Sequence, residues 1–246
     1  MLGPRFGMFR AVGAAYALGA LTPANAAALA PLLGTPDLMY RGNDATGSTE
    51  LVSGVDNLTD VATPAKEVFD AVLDMNTTQF SSLSTDAMVA ASGAVADVTT
   101  GNIVIIHIFR LMSIVTSTYS IYGKRDAGAP NYGYELHSPL AGSLQFTIDT
   151  SLGSYSRVVA GPHATTEIQT TLAKRDSVQS GLFTRHGNAV GAPNGGTMTN
   201  TSIFAIGRQR SAAREQSHGV TMIWLTPPDG AGETERLAFG QAVGGE

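Results

Sequence analysis

The sequence predicts an all-β protein, an antiparallel β-sandwich preceded by an apolar N-terminal arm. Three observations favour this fold class. Charged residues make up only 14% of the 246 residues, the chain contains 28 glycines, and short runs of β-branched and aromatic residues are separated by Gly, Pro, Asn and Asp. A coiled coil or a disordered chain needs more charge than this. The chain has no cysteine, so disulfides are excluded, but its length is sufficient for a hydrophobic core without them.

Residues 1–36 differ from the rest of the chain and form the predicted arm; residues 37–246 form the predicted sandwich domain. Arg5 and Arg10 precede an uncharged, alanine-rich run, Ala11–Ala30. Residues 24–26 have the small-x-small pattern of a signal-peptidase site. Three interpretations stay open: an arm that packs against a partner chain, a secretory leader and a membrane anchor, the last being least favoured because Pro23 interrupts the run. In an arm, the large apolar side chains would anchor it: Phe6, Phe9, Tyr16, Leu18 and Leu21.

The strand series begins at Leu38, and its centre is the almost wholly apolar run Ile103–Phe109, predicted as a central strand covered on both faces. In Leu144–Ile148, apolar and polar residues alternate, which predicts one wet face. Residues 185–188 are predicted as a hairpin tip. The other predicted strands are Tyr119–Tyr122, Tyr132–Leu136, Tyr155–Val159, Glu167–Ala173, Val178–Arg185, Ile203–Ile206 and Val220–Leu225.

Two segments have mixed signals. Thr63 and Pro64 are suited to a helix start, yet Val68–Met75 alternates as a strand does, and we predict a strand there. Its Asp70 and Asp74 would then share an exposed face. Asp229–Val243 is predicted to be a short terminal helix or turn that covers the sheet.

The order of features from about Asn102 to the C-terminus resembles the concanavalin A-like, laminin-G-like jelly-roll family. The resemblance lies in the strand NIVIIHIFRL, the strand YGYEL, the strand SLQFTI, the tip LFTRHGNAVG, the step SIFAIGRQ and the strand HGVTMIWLT. It implies a jelly-roll sandwich of the type found in phage structural and adhesive proteins. His186 stands where an acid is common in the turn of that family, which weakens the expectation of ligand binding.

Signatures of catalysis are absent from the sequence. There is no G-x-S-x-G elbow, no paired-acid E-x-D-x-x-E strand and no closely spaced pair of histidines that would bind one metal ion. His107 and Trp224 lie in apolar strands and are predicted to be core residues. We therefore predict no enzyme activity and no metal. The histidines are at positions 107, 137, 163, 186 and 218.

The best candidate for ligand binding is the loop Lys124–Tyr134. Its Asp126, Asn131, Tyr132 and Tyr134 combine an acid, an amide and aromatic rings, which are the groups that bind sugars. The alternative is a hairpin loop whose Asn, Gly and Pro form turns while both tyrosines pack on the sheet edge. No cofactor is predicted; Ca²⁺ is one route to sugar binding, and no residue pattern supports it here. The basic cluster of Arg208, Arg210 and Arg214 is predicted to be a solvated loop.

These features predict a non-enzymatic virion structural protein, a bacteriophage head-decoration, head-fibre or tail-adsorption component. Its sandwich would face outward, and its arm would bind other virion proteins or further copies of the chain. The alternative is a secreted or cell-surface carbohydrate-binding module that binds a cell-surface glycan. The net charge of −5 argues against a nucleic-acid partner, and a membrane partner is not expected.

Overall fold

The computed structural model describes residues 33–81, 85–98, 101–113, 119–125, 132–139, 142–161, 163–198, 201–208, 215–232 and 234–235. These residues form two β-sheets in which all neighbouring strands are antiparallel. The first sheet has the order β13 (Gly187–Gly191), β12 (Ser180–Thr184), β11 (Gln169–Arg175), β6 (Ile103–Leu111), β15 (Gln216–Trp224), β4 (Met75–Phe80) and β3 (Ala65–Asp70), and β1 (Leu38–Arg41) also pairs with β15. The second has the order β10 (Gly153–Ala160), β9 (Ser143–Thr150), β8 (Gly133–Ser138), β7 (Tyr119–Arg125), β14 (Ala205–Ile206), β5 (Ala87–Ala90) and β2 (Leu58–Val61). The predicted all-β antiparallel sandwich is therefore confirmed.

The main core lies between the two sheets. Alternate side chains of β6, such as Ile105 and Phe109, meet Tyr122, Leu136 and Phe146 of the second sheet, and all five are fully buried. This follows from the two-residue side-chain period of a strand, which directs every second residue to one face.

A second apolar cluster covers the outer face of the first sheet. It contains Val104 and Ile106 of β6 and Trp224 of β15, so the prediction that β6 is covered on both faces is confirmed. Leu33 packs in the same cluster, and Trp224 Nε1 donates a 2.7 Å hydrogen bond to the Gly34 carbonyl. The predicted core position of Trp224 is confirmed as well.

The predicted strand Val68–Met75 is wrong, because the chain reverses direction inside it. β3 ends at Asp70 and β4 begins at Met75. The Asp70 carboxylate accepts hydrogen bonds from the backbone N–H groups of Val72 and Leu73, a side-chain-to-backbone pattern that competes with strand pairing. Asp74 adopts a positive φ of 52°, which asparagine and aspartate tolerate in turns.

Asp70 is also not on an exposed face, contrary to the prediction. Its side chain is buried and forms a 2.7 Å ion pair with Arg110 of β6. Burial alone would raise the pKa of Asp70, but hydrogen bonds from Ser217, Arg110 and the Leu73 backbone hold the pKa of this carboxyl below its ordinary value. This aspartate therefore links the end of the edge strand β3 to the central strands β6 and β15.

The predicted wet face of Leu144–Ile148 is polar but mostly inaccessible. Thr147 is buried. Its hydroxyl is hydrogen-bonded to Ser156 of β10 at 2.9 Å and to the amide of Gln145 at 3.1 Å, so its burial leaves the hydroxyl satisfied. The hydrogen bonds between these polar side chains take the place of water on this face.

Several predictions concern residues outside the described part of the chain. These include the arm residues Phe6, Phe9, Tyr16, Leu18 and Leu21, and most of the predicted terminal helix Asp229–Val243. The boundary between arm and sandwich stays a prediction. Within the described ranges, no helix is long and apolar enough to cross a membrane.

Candidate functional site

The predicted ligand loop is only partly described. Asp126 and Asn131 lie outside the described residues, and Tyr132 is half-buried. The predicted ligand-binding role of Tyr134 is wrong, because its ring is buried in the core between the sheets. Its hydroxyl donates a 3.0 Å hydrogen bond to the Ala96 carbonyl. Burial raises the pKa of this phenol well above its ordinary value. Tyr134 thus belongs to the core and offers no ring to a ligand.

Arg125 ends β7 and leads directly into that loop. Its backbone pairs with Gly133, and its guanidinium forms ion pairs with Glu135, at 3.3 Å, and with Asp149. Ser120 donates a further hydrogen bond to Glu135. Because two carboxylates hold the guanidinium, the side chain of Arg125 has a fixed position where the loop starts.

A groove of about 480 Å³ begins at Arg125 and crosses the outer face of the second sheet. Its floor is apolar and consists of Ala87, Val89 and Ala205, whose strand neighbours Met88, Ala90 and Ile206 point into the core instead. Val61 and Ile203 form partly exposed apolar walls. The more exposed polar residues of the lining form the rim of the groove, and these are the hydroxyl-bearing Thr85, Thr201 and Ser202, and Arg208.

The wall at residues 201–203 is held in place by Lys124, which is buried. The Lys124 ammonium donates hydrogen bonds to the carbonyls of Ser202, at 2.8 Å, and Gly93, and lies 3.5 Å from an Asp97 carboxylate oxygen. Because this wall is tied to β7, the shape of the groove is set by the fold before any ligand binds. A largely apolar concave surface with a few rim hydroxyls and one exposed guanidinium suits a small polar molecule with apolar faces, such as a sugar.

A smaller cleft of about 300 Å³ lies between Asn102, Arg175 and Asn194 at one end of the sandwich. Its polar groups are already used by the fold. Arg175 donates to the carbonyls of Gly101, Asn194 and Gly196, and the Asn194 side chain bonds Thr150 and Gly153. We therefore regard the cleft as part of the loop scaffold.

The sequence reveals no metal-binding spacing, but the fold brings three ligand-type side chains together. One donor atom each of His163, Glu167 and His186 lies within 4.8 Å of the other two. His163 and Glu167 belong to the connection between β10 and β11, and His186 lies in the two-residue turn between β12 and β13. That turn confirms the predicted hairpin tip at residues 185–188.

These three residues were missed because His163 and His186 are distant in sequence. Their proximity arises only where the edge strands of the two sheets meet, and no local motif encodes that. Burial lowers the pKa of His163, although the hydrogen bond to Gln169 favours the protonated ring. Burial would raise the pKa of Glu167, but hydrogen bonds from His186, Gln169 and the Ala164 backbone hold it below its ordinary value.

Comparison with known proteins shows the fold and no closer relationship. No protein-family model matches the chain, and no curated protein is similar to it in sequence. Solved structures do match. The botulinum neurotoxin serotype D binding domain superposes with a TM-score of 0.60 at 10% identity, over 84% of this chain and 51% of that one.

Two other solved structures superpose about equally well. Botulinum neurotoxin type C, whose cell entry depends on interaction with two ganglioside molecules, gives a TM-score of 0.58 at 11% identity, over 83% of this chain and 51% of that one. Trypanosoma rangeli sialidase gives 0.59 at 9% identity, over 85% of this chain and 33% of that one.

The matched proteins are longer than this chain, which spans about half of the toxin chains and a third of the sialidase. At such low identity, the superpositions establish a shared β-sandwich fold. They agree with the jelly-roll type expected from the sequence, and they give no support to a link with phage proteins.

Proposed function

We propose that this chain is a carbohydrate-binding sandwich domain whose glycan site is the groove between Arg125 and Arg208. The observation that carries the proposal is the groove itself, with an apolar floor, hydroxyl-bearing rim residues and an exposed guanidinium at one end. Sugars present apolar ring faces and polar edges, so both kinds of surface are used when they bind. A carbohydrate-binding module is also the function that the sequence analysis gives as the alternative to a virion structural protein.

Two further observations support the proposal. The groove begins where the predicted loop begins, so Asp126, Asn131 and Tyr132 remain candidates for contacts at its edge. The fold is similar to that of a toxin whose cell entry depends on gangliosides, which are glycolipids. A cell-surface glycan is therefore the proposed partner.

Charge favours a glycan that carries a carboxylate. Arg125 is neutralised by Glu135 and Asp149, whereas Arg208 is exposed and has no ion-pair partner among the described residues. Arg208 is thus the guanidinium that an acidic sugar would meet. A charge-assisted hydrogen bond contributes about 1.5–3 kcal/mol, so Arg208→Gln should weaken binding of an acidic glycan by about tenfold or more.

The direct test is a glycan array of sialylated and neutral oligosaccharides, probed with the parent protein and with Val89→Phe. Val89 lies on the floor of the groove, so the larger ring should fill it and abolish binding. Val158→Phe is the matched control, because it adds the same ring to the same sheet on β10, outside the groove. Absence of glycan binding by the parent, or equal binding by the two variants, would reject the site.

The loop is tested separately on the same array with Asp126→Ala and Tyr132→Ala. If the loop contributes to the edge of the groove, both variants should bind more weakly than the parent while remaining folded. Unchanged binding by both would restrict the site to the groove.

The virion role stays a prediction, since no comparison supports it and residues 1–32 of the arm lie outside the described residues. Its test is deletion of residues 1–32, which keeps Leu33 and Gly34 against Trp224 and should abolish incorporation into a particle while the sandwich remains folded. Incorporation at the normal level would contradict it.

A further inference from the structure

The cluster of His163, Glu167 and His186 lies at the edge of the sandwich where β10 of the second sheet meets β12 and β13 of the first. The two histidine rings are 4.9 Å apart between centroids and nearly perpendicular. This place is distinct from the proposed glycan groove, which lies across β7, β14, β5 and β2.

The hydrogen bonds of Gln169 determine the tautomer of His163. The Gln169 side-chain N–H groups donate to the Ala164 carbonyl, at 3.2 Å, and to Glu167 Oε1, at 2.8 Å. Its amide oxygen therefore faces His163 Nδ1, at 2.8 Å, and must accept a hydrogen bond from it. Neutral His163 carries its proton on Nδ1, and its Nε2 holds a lone pair.

Among the described residues, no group donates a hydrogen bond to that lone pair. His163 is 1% exposed, and its buried Nε2 makes no hydrogen bond within the part of the chain that the structure describes. The Val159 backbone favours the protonated ring, so the backbone group there is an acceptor and offers no donor to the lone pair. A buried acceptor without a partner costs free energy, and a metal ion would remove that cost.

The other two residues complete a set of donors. Glu167 Oε1 is oriented by N–H groups from Ala164, at 3.1 Å, and from Gln169, and accepts a 2.6 Å hydrogen bond from His186 Nε2. Metal-binding histidines commonly donate their second ring N–H to an oxygen acceptor that fixes the ring, which is the role of Gln169 toward His163.

We infer that His163, Glu167 and His186 form a zinc site that joins the edges of the two sheets. Two imidazoles and one carboxylate are a donor set that zinc prefers, with a fourth position left for water. Ca²⁺ and Mg²⁺ prefer sites made of oxygen atoms. The inference does not depend on the proposed glycan binding.

Binding requires the three side chains to move closer together. Ligands at about 2.0–2.1 Å from a tetrahedral zinc ion lie about 3.3 Å from one another, whereas the donor atoms here lie within 4.8 Å. His186 must release the proton that it shares with Glu167, and Arg185, whose guanidinium is 3.6 Å from the other Glu167 oxygen, must turn away. The three ligands and Arg185 all lie in a turn or a loop connection, so these movements leave the strands in place.

The test is titration of untagged, EDTA-treated protein with ZnCl₂, followed by calorimetry and by the thermal midpoint. The parent should bind one zinc ion per chain, and its midpoint should rise with zinc concentration. His186→Ala should lose at least about 100-fold in affinity, because removal of an outer-shell group alone typically costs 10–100-fold. His137→Gln, which removes a histidine outside the cluster, should bind zinc as the parent does.

His186 is in a surface turn, so its variant is expected to fold, and circular dichroism checks this. Glu167→Gln provides a second variant that keeps the shape of the side chain. Co²⁺ in place of zinc should give the visible absorption of a tetrahedral site, lost in both variants. No binding by the parent, equal binding by parent and variants, or equal response to CaCl₂ would overturn the inference.

Discussion

Mild acid should destabilise this protein through two histidines buried in its core. His107 of β6 and His218 of β15 are fully buried, with stacked rings 5.3 Å apart between centroids and 8° from parallel. His107 bonds Thr221 at 2.8 Å and Gln216 at 3.4 Å, which confirms the prediction of a core histidine with satisfied nitrogens. Neither ring nitrogen of His218 has a hydrogen-bond partner among the described residues.

Burial depresses the pKa of both rings. It lowers the pKa of His107 to about 3. It also lowers the pKa of His218 well below its ordinary value, and the positive charges of a protonated His107 and of Lys66 act in the same direction. The ring of Tyr122, from the opposite sheet, lies 5.1 Å from that of His107 between centroids, in an edge-to-face arrangement. Tyr122 stays neutral, because burial raises its pKa.

The size of the stability loss follows from the difference in proton binding between the folded and the unfolded chain. Above pH 6.5 neither state protonates these rings, so the pair adds no pH dependence there. Below pH 6.5 the unfolded chain binds protons that the folded chain refuses, and stability falls by about 1.4 kcal/mol per pH unit for each histidine. At pH 5 the loss is about 2 kcal/mol for His107, and it continues to grow until the pH nears 3. His218, whose pKa is also lowered, adds a loss of the same sign.

The assay is urea unfolding at pH 7.5 and at pH 5.0, compared between the parent and His218→Phe. The variant keeps an aromatic ring and removes one proton-binding site, so it should lose less stability than the parent over this interval, while His107 and His163, whose pKa values burial also lowers, keep their contributions. Carboxylates with lowered pKa, such as Glu50, add their own loss only below about pH 4.5, outside the interval. Equal losses in the parent and the variant, or no loss in the parent, would refute the reasoning.

Three further predictions concern stability and the folded environment. Asp70→Ala removes the partner of Arg110 and the acceptor of two turn N–H groups, and should cost about 2–3 kcal/mol in urea unfolding, whereas Asp74→Asn should cost little. Glu50→Ala should cost about 2–4 kcal/mol, because the Glu50 carboxylate accepts four backbone N–H groups from its own loop and β1; unchanged stability would contradict this. The single tryptophan, Trp224, is 1% exposed, so its fluorescence should be blue-shifted and resist iodide quenching until the protein unfolds.

The sequence was sufficient to predict the fold because its signals are local. The apolar run of Ile103–Phe109 indicates a strand with two covered faces, and Tyr119–Tyr122 and Val220–Leu225 carry the β-branched and aromatic residues that favour pleated structure. These segments became β6, β7 and β15. Alternation within a strand needs no knowledge of its partners, so it can be interpreted from the sequence.

The environment of single polar residues could not be predicted in the same way. Asp70 looked exposed because it stands among alternating polar residues, yet Arg110, forty positions later, makes it a buried ion pair. Tyr134 was suited to sugar stacking by composition, but its place in β8 directs the ring inward. For Asp70 the deciding contact comes from a strand that is distant in sequence, and for Tyr134 the direction of the ring depends on which face of β8 the core covers.

The zinc cluster is the extreme case of the same problem, and it lies away from the groove. His163 and His186 are 4.9 Å apart between ring centroids only because β10 ends the second sheet where β12 and β13 end the first. In the second sheet, β9 and β8 separate that edge from β7, where the groove begins. A metal ion at the edge would add a link between two sheets that are already joined by the core, by the Lys66–Asp60 ion pair and by the hydrogen bond from Gln216 to the Ile121 carbonyl, whereas a glycan in the groove would contact the outer face of one sheet. Because neither site uses a residue of the other, failure of the zinc experiment leaves the glycan proposal standing, and the reverse is also true.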